Sequence, residues 1–244
     1  MEEVLTGSRN LKNTGVAIMN VRAYKGCNNV LWISLEDQSG GERLATLNLT
    51  PGRKVYGERL IQVSGSEYRL WDTYRSKLAA TIAKGLERVP LEKGSKVLYL
   101  GAASGTTSSH VSDIVGEEGT VYCVEFSPRV IRELVTVCEY RKNMFPILAD
   151  ARFPEKYRML VEQVDVIYQD VAQPNQSEIM IKNARMFLKD GGHGFLAIKA
   201  RSVDVTKEPS EIFRKETETL KQMFQIQALI HLEPYDKAHV MIVF

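Results

Sequence analysis

Up to about residue 59 the chain alternates apolar and polar positions in short runs. The segments 16–21 (VAIMNV), 30–35 (VLWISL) and 43–49 (RLATLNL) read as strands. Gly26, Gly40-Gly41 and Pro51-Gly52 punctuate them, and the pattern predicts a small antiparallel sheet. The period then changes. Over 68–86, Leu70, Trp71, Tyr74, Leu78 and Ile82 fall near one face and predict a helix.

Beyond that helix, strands and helices alternate. Strands are expected at 96–100, 120–125, 145–149, 164–169 and 194–199, with helices at 129–141 and 177–188 between them. Such alternation gives a parallel sheet covered by helices on both faces. A last helix opens near Pro209-Ser210-Glu211, a helix-start signal. Strands at 224–232 and 239–244 follow with no helix between them, so they are expected to be antiparallel. The expected fold class is α/β. It comprises a Rossmann-like seven-stranded mixed sheet over 60–244, closed by an antiparallel hairpin, behind a small β domain at 1–59.

Composition narrows the class of function. The 244 residues are 44% hydrophobic and 25% charged, enough for a packed core. No apolar run approaches a membrane span, and the acidic start Met1-Glu2-Glu3 does not resemble a secretory signal, so a cytoplasmic protein is expected. Cys27, Cys123 and Cys138 have no CxxC spacing and the four histidines are scattered, so buried free thiols and no metal site are expected. A net charge of +2 is too small to hold a nucleic acid by charge alone.

The carboxyl ends of parallel strands are where ligands bind. The first strand of the large sheet runs into Gly101-Ala102-Ala103-Ser104-Gly105-Thr106-Thr107, where small residues let the backbone approach a ligand. The second strand ends at Glu125, about 20 residues after Gly105, placed to accept hydrogen bonds from ribose hydroxyls. The third leads to Asp150, suited to an adenine amino group. A nicotinamide enzyme shares the first two features, but Thr106 stands where the third glycine of its fingerprint would be. With the late antiparallel hairpin, the set favours S-adenosylmethionine (SAM).

The fourth and fifth strands end at Asp170 and Lys199, charged residues that close apolar runs. His239 opens the last, antiparallel strand and so falls on the same edge, and Lys77 sits beside the apolar face of the preceding helix. A Lys, an Asp, a Lys and a His are thus expected to meet.

These segments resemble the fibrillarin family. The resemblance is carried by Pro51-Gly52 with Val55-Tyr56-Gly57-Glu58, by WDTYRSK at 71–77, LGAASGTT at 100–107, VEFS at 124–127 and Asp150-Ala151-Arg152. Further on come DVAQ at 170–173, IKARSV at 198–203 and Lys237-Ala238-His239. The resemblance spans nearly the whole chain. It lacks the glycine- and arginine-rich tail of the eukaryotic members and looks archaeal. It implies a SAM-dependent RNA 2′-O-methyltransferase that releases S-adenosylhomocysteine. Thr106, Thr107, Glu125, Phe126, Asp150, Ala151, Asp170, Val171, Ala172 and Gln173 would line the cofactor, beside the Gly101, Ala103 and Gly105 turn. Lys77, Asp170, Lys199 and His239 would form the catalytic tetrad. Implied partners are a Nop-family scaffold protein, a kink-turn-binding ribosomal-type protein and a box C/D guide RNA, with ribosomal or transfer RNA as substrate.

The chemistry to be done is removal of the 2′-hydroxyl proton while oxygen and methyl are held in line. Lys199 is the expected general base, with Asp170 fixing its position and Lys77 and His239 orienting the hydroxyl and ribose. Two other readings stand beside this one. In the first, a catechol-type enzyme would use Asp170 and Asn175 around magnesium, against which the lysine pair argues. In the second, a SAM-binding scaffold without activity would have no need of the tetrad. His110, His193 and His231 are expected to be structural or exposed. Arg53, Lys54, Arg75, Arg129 and Arg201 either track an RNA backbone or are scattered surface charges. The mixed charge run 208–218 reads as a solvated helix face.

Overall fold

The computed structural model describes residues 17–36 and 41–244. Residues 1–5, Val16 of the first expected strand and Gly40 of the first glycine pair lie outside the described residues. Five strands form the small sheet: β1 (Ile18–Ala23), β2 (Val30–Leu35), β3 (Glu42–Leu47), β4 (Leu60–Val63) and β5 (Ser66–Trp71). Their order is β1-β2-β3-β5-β4, antiparallel throughout.

The helix expected over 68–86 is corrected. Its first part is β5, which pairs Tyr68, Arg69, Leu70 and Trp71 with Leu47, Thr46, Ala45 and Leu44 of β3. Of the residues that read as one helix face, Leu70 and Trp71 are strand residues buried in two different cores, Tyr74 is exposed in the turn that follows, and only Leu78 and Ile82 lie on the helix. The β3 partner of the two strand residues is remote in sequence. The true helix, α1 (Lys77–Ala83), starts where the Ser76 side chain accepts a hydrogen bond from the Ala79 backbone. The small sheet therefore runs to Trp71, past the boundary expected at residue 59.

The large sheet has seven strands: β6 (Lys96–Leu100), β7 (Thr120–Glu125), β8 (Met144–Leu148), β9 (Val164–Gln169), β10 (Leu188–Lys199), β11 (Ala228–His231) and β12 (His239–Val243). Their order is β11-β12-β10-β9-β6-β7-β8. The pairs from β10 to β8 are parallel, whereas β12 lies antiparallel between β10 and β11. The chain leaves β6 for β7 and β8 on one side and returns to β9 and β10 on the other. The crevice at that reversal is where such sheets bind ligands. β10 begins earlier than the apolar run suggests, because a register shift between Leu188 and His193 lets polar residues join the ladder.

The helices α2 (Thr106–Val115) and α3 (Ile131–Tyr140) cover one face with α1. The other face carries α4 (Gln176–Phe187) and α6 (Pro209–Lys221), and the short α5 (Ala200–Val203) follows β10 directly. Leu78, Val111, Ile114 and Leu134 form one core with Trp71, Leu44 and Val30 of the small sheet. The two sheets thus share apolar contacts. Among the described residues no helix is long and apolar enough to cross a membrane.

A buried ionic cluster joins the small sheet to α2 and α3. The side chains of Arg69, Asp113 and Arg141 are fully buried. Arg69 donates to Glu58 at 2.6 Å and to Asp113 at 2.8 Å, and Arg141 donates to the other oxygen of Asp113 at 2.6 Å. Burial opposes the charge on Arg69, but Asp113 and Glu58 more than offset it and raise its pKa. For Arg141 burial prevails and the pKa is lowered, with Asp113 opposing.

His110 belongs to the same cluster as a neutral ring. The Thr46 hydroxyl donates to Asp113 at 2.8 Å, so at 2.7 Å it accepts from Nδ1–H of His110. Nε2 then faces the Tyr56 hydroxyl at 2.8 Å, for whose proton the Leu70 carbonyl at 3.1 Å is a second acceptor. The ring stacks on Trp71 at 4.8 Å. Burial first, then Arg69 and Arg141, pull the His110 pKa well below the ordinary 6.5. Protons therefore bind the unfolded chain more readily. The stability this group contributes is complete above about pH 6.5 and is lost as pH falls from there towards the folded value. Stability is therefore expected to fall between pH 7 and pH 5. Urea unfolding at the two pH values, for wild type and His110→Gln, checks it. An equal loss in both proteins would show that His110 is not responsible.

Candidate active site

At the end of β6 the chain turns through Gly101 (φ 82°) and Ala103 (φ 48°) into Gly105 (φ 97°), which precedes α2. The Glu125 carboxylate organises this turn. One oxygen accepts from the Ala103 N–H at 3.0 Å and the other from the Ser127 N–H at 2.8 Å. Asp150 accepts from the Arg152 backbone and guanidinium, bonds that hold its pKa below the usual carboxylate range. Phe126, 65% exposed, leaves an aromatic face open beside Glu125, and Ala151 is buried behind Asp150. Thr107 donates from its hydroxyl to Ser76 at 3.0 Å and so ties α2 to the start of α1.

Gly101 admits a close approach from within the protein itself. A Cβ there would lie 2.2 Å from the Asp170 carbonyl oxygen. The close approach it permits is that of the neighbouring strand end, where Asp170 N–H donates to the Leu100 carbonyl at 2.9 Å. Gly101→Ala is expected to displace Asp170 and to add about 1–2 kcal/mol of left-handed strain. Thermal unfolding and SAM titration calorimetry should both register the loss. SAM affinity within twofold of wild type would refute it.

Asp170 follows β9 and pairs with Lys77 Nζ at 2.6 Å. Lys199 closes β10 directly opposite His239 of β12 in the antiparallel ladder, so both side chains leave the sheet on one face. Lys77 and Asp170 thus form one side-chain pair, and the ladder sets Lys199 beside His239. Asp170 was expected to fix Lys199, and here the structure differs: its carboxylate is taken by Lys77. Among the described residues no carboxylate pairs with the Lys199 ammonium.

Several residues with no role in the sequence reading hold the site together. Gln176 accepts the Lys199 N–H at 3.1 Å through its side chain, and its carbonyl accepts from Gln169 at 2.7 Å. This buried relay joins the ends of β9 and β10 through α4. Asp236 lies 2.8 Å from His239 Nδ1 and 3.8 Å from Lys77 Nζ. Burial lowers the His239 pKa, against the raising effects of the Lys237 carbonyl and Asp236. Lys77, Asp170 and Asp236 line a cleft of about 100 Å³ with Tyr74, Ser76 and Thr107. The only sequence signals for these residues were Ser76 as a helix cap and Asp236 in the turn before His239.

Of the other polar candidates, Arg75 lies over the Tyr56 ring and Arg53 over Tyr140. His231 is exposed, and Nδ1 of His193 is buried without a partner among the described residues. Cys27 and Cys123 are buried and Cys138 half-buried, all free, and burial pushes the Cys27 thiol up to about 12.

A crevice at the strand reversal, bordered by a left-handed turn, two carboxylates and an open aromatic ring, fits a nucleoside ligand. With the antiparallel β12 inserted beside β10, it has the architecture of the class I SAM-dependent methyltransferases. The model of the fibrillarin family matches residues 21–244. A fibrillarin-like rRNA/tRNA 2′-O-methyltransferase of Aeropyrum pernix is 54% identical over 228 residues, covering 93% of this chain and 97% of that protein. The crystal structure of Aeropyrum pernix fibrillarin with natively bound S-adenosyl-L-methionine superposes with a TM-score of 0.86 at 53% identity, covering 93% of this chain and 98% of the other. A chain from a fibrillarin/Nop5p complex has a TM-score of 0.77 at 44% identity, covering 82% and 92%. The chain belongs to the fibrillarin family.

Proposed function

We propose that this chain transfers the methyl group of SAM to the 2′-oxygen of an RNA ribose, as the catalytic subunit of a box C/D guide-RNA particle. The observation that carries the reading is the grouping of the Lys77–Asp170 pair and His239 around Asp236, with Lys199 beside His239 in the ladder. Relatives named as rRNA/tRNA 2′-O-methyltransferases, one family member crystallised with SAM and another with Nop5p, support the same assignment. Ribosomal and transfer RNA are the substrates, and a Nop-family protein is the scaffold. A kink-turn-binding protein and a guide RNA complete the particle. With a net charge of +2, the chain leaves most of the RNA binding to them.

Glu125 and Asp150 would hold the ribose and adenine of SAM, with Phe126 and Ala151 against the base and Thr106, Thr107 and the Asp170–Gln173 run along the rest. The bound cofactor supplies a methyl group on a sulfonium, with a neutral thioether as leaving group. The protein must place the ribose hydroxyl and take its proton. Lys77 is paired with Asp170, which fixes it as a donor to the ribose oxygens. Lys199 is the lysine without a carboxylate partner among the described residues, and it is the base.

The test supplies labelled SAM, guide RNA, target RNA, scaffold and kink-turn protein to the full chain. Methyl transfer to the ribose that the guide selects is the expected result. Transfer without RNA would replace this reading with a small-molecule or protein methyltransferase, and SAM binding without transfer would replace it with a scaffold role.

A further inference from the structure

The Asp236 carboxylate lies between the two halves of the tetrad, within ion-pair distance of Lys77 on one side and His239 on the other. Its loop, between β11 and β12, is anchored. The backbone N–H groups of Tyr235 and Asp236 donate to the Leu232 carbonyl at 2.9 and 3.2 Å. The Tyr235 ring meets Tyr74 edge-on at 5.2 Å, fastening this loop to the segment that leads into Lys77.

The partners of His239 determine its tautomer. Nδ1 is hydrogen-bonded to the Lys237 carbonyl at 2.7 Å, and the Asp236 carboxylate stands at ion-pair distance, 2.8 Å, from the same nitrogen. Both are acceptors, so Nδ1 carries the hydrogen. In a neutral ring Nε2 then holds a lone pair. The charged groups around the ring are Asp236 on its own loop, Lys77 on α1, Asp170 after β9 and Lys199 opposite on β10. Burial keeps the ring neutral at ordinary pH.

We propose that Asp236 is a positioning residue, which fixes His239 as the Nδ1–H tautomer and steadies Lys77, so that Nε2 is presented as an acceptor for a hydroxyl of the target ribose. The site would then recognise the sugar by a hydroxyl that must donate, while Lys199 removes the 2′ proton. The inference rests on the ribose-methylation reading for its substrate, but its statement about the tautomer does not.

The experiment uses the full chain with Asp236→Ala, the isosteric Asp236→Asn and the conservative Asp236→Glu. Nitrogen-15 NMR of the histidine side chains reads the tautomer, calorimetry reads SAM affinity, and single-turnover methylation in the reconstituted particle reads the rate. In Asp236→Ala, His239 should become a mixture of tautomers and the rate should fall roughly 10–100-fold, with SAM affinity within twofold. Asp236→Glu should restore both tautomer and rate. Should the alanine variant fail to fold, the asparagine variant carries the comparison, with the same losses expected. An unchanged tautomer overturns the proposal whatever the rate does, because the Lys237 carbonyl would then suffice. An unchanged rate in a working particle also overturns it. If the wild-type particle methylates nothing, the ribose reading falls, and the NMR comparison alone decides whether Asp236 sets the ring.

Discussion

Asp113→Ala lowers the thermal unfolding midpoint by roughly 6–20 °C, the largest stability effect expected of any single substitution here. Asp113 accepts from Arg69, Arg141, the Thr46 hydroxyl and the Leu49 backbone N–H, all at 3.0 Å or less. Its removal leaves two buried guanidiniums with one remaining carboxylate, Glu58, which pairs with Arg69 and not with Arg141. Removing one partner of a buried ion pair costs about 3–5 kcal/mol, because the charge left behind has neither water nor a counter-ion. In a domain of this size each kcal/mol shifts the midpoint by roughly 2–4 °C. Differential scanning calorimetry checks the number, and a shift below about 2 °C would show that water enters and solvates the arginines. SAM affinity should fall too, because Asp113 lies on α2, whose first turn borders the cofactor crevice.

Lys199→Ala reduces the methylation rate by about 10²–10⁴-fold at neutral pH, the range associated with a missing general base. SAM affinity stays within twofold, because Lys199 closes β10, away from the Gly101–Gly105 turn and Glu125. The pH–rate profile is the sharper reading. A general base makes the wild-type rate depend on pH, and the variant loses that dependence. Single-turnover rates in the reconstituted particle across the pH range test this. A variant profile of the same shape and height as wild type would remove Lys199 from the role. Lys77→Ala should behave differently, weakening placement of the ribose while keeping the pH dependence.

Much of the site was legible in the chain because a parallel sheet is a strong geometric constraint. An apolar strand that ends in a charged residue can expose that residue only at its carboxyl end, so Glu125, Asp170 and Lys199 could be placed at the crevice from sequence. His239 joined them because a final antiparallel strand starts where its neighbours finish. Two features could not be read this way. The segment 68–71 has helix-like spacing and becomes β5 because β3, far away in sequence, offers a ladder. Gly101 signals a close approach without saying of what, and the approaching group is the Asp170 carbonyl.

The sequence by itself determined the alternating strands and helices, the chemistry at the strand ends and, through its motifs, the family. These follow from local periodicity and residue type. Only the tertiary structure decided how the charges are shared. It gives Asp170 to Lys77 and leaves Lys199 without a carboxylate among the described residues, and it sets Asp236 between Lys77 and His239. It also buries Arg69, Asp113 and Arg141 in the seam between the two sheets. Which carboxylate meets which cation depends on distances of a few ångströms between elements distant in sequence, and those distances are fixed only when both sheets pack around the same core.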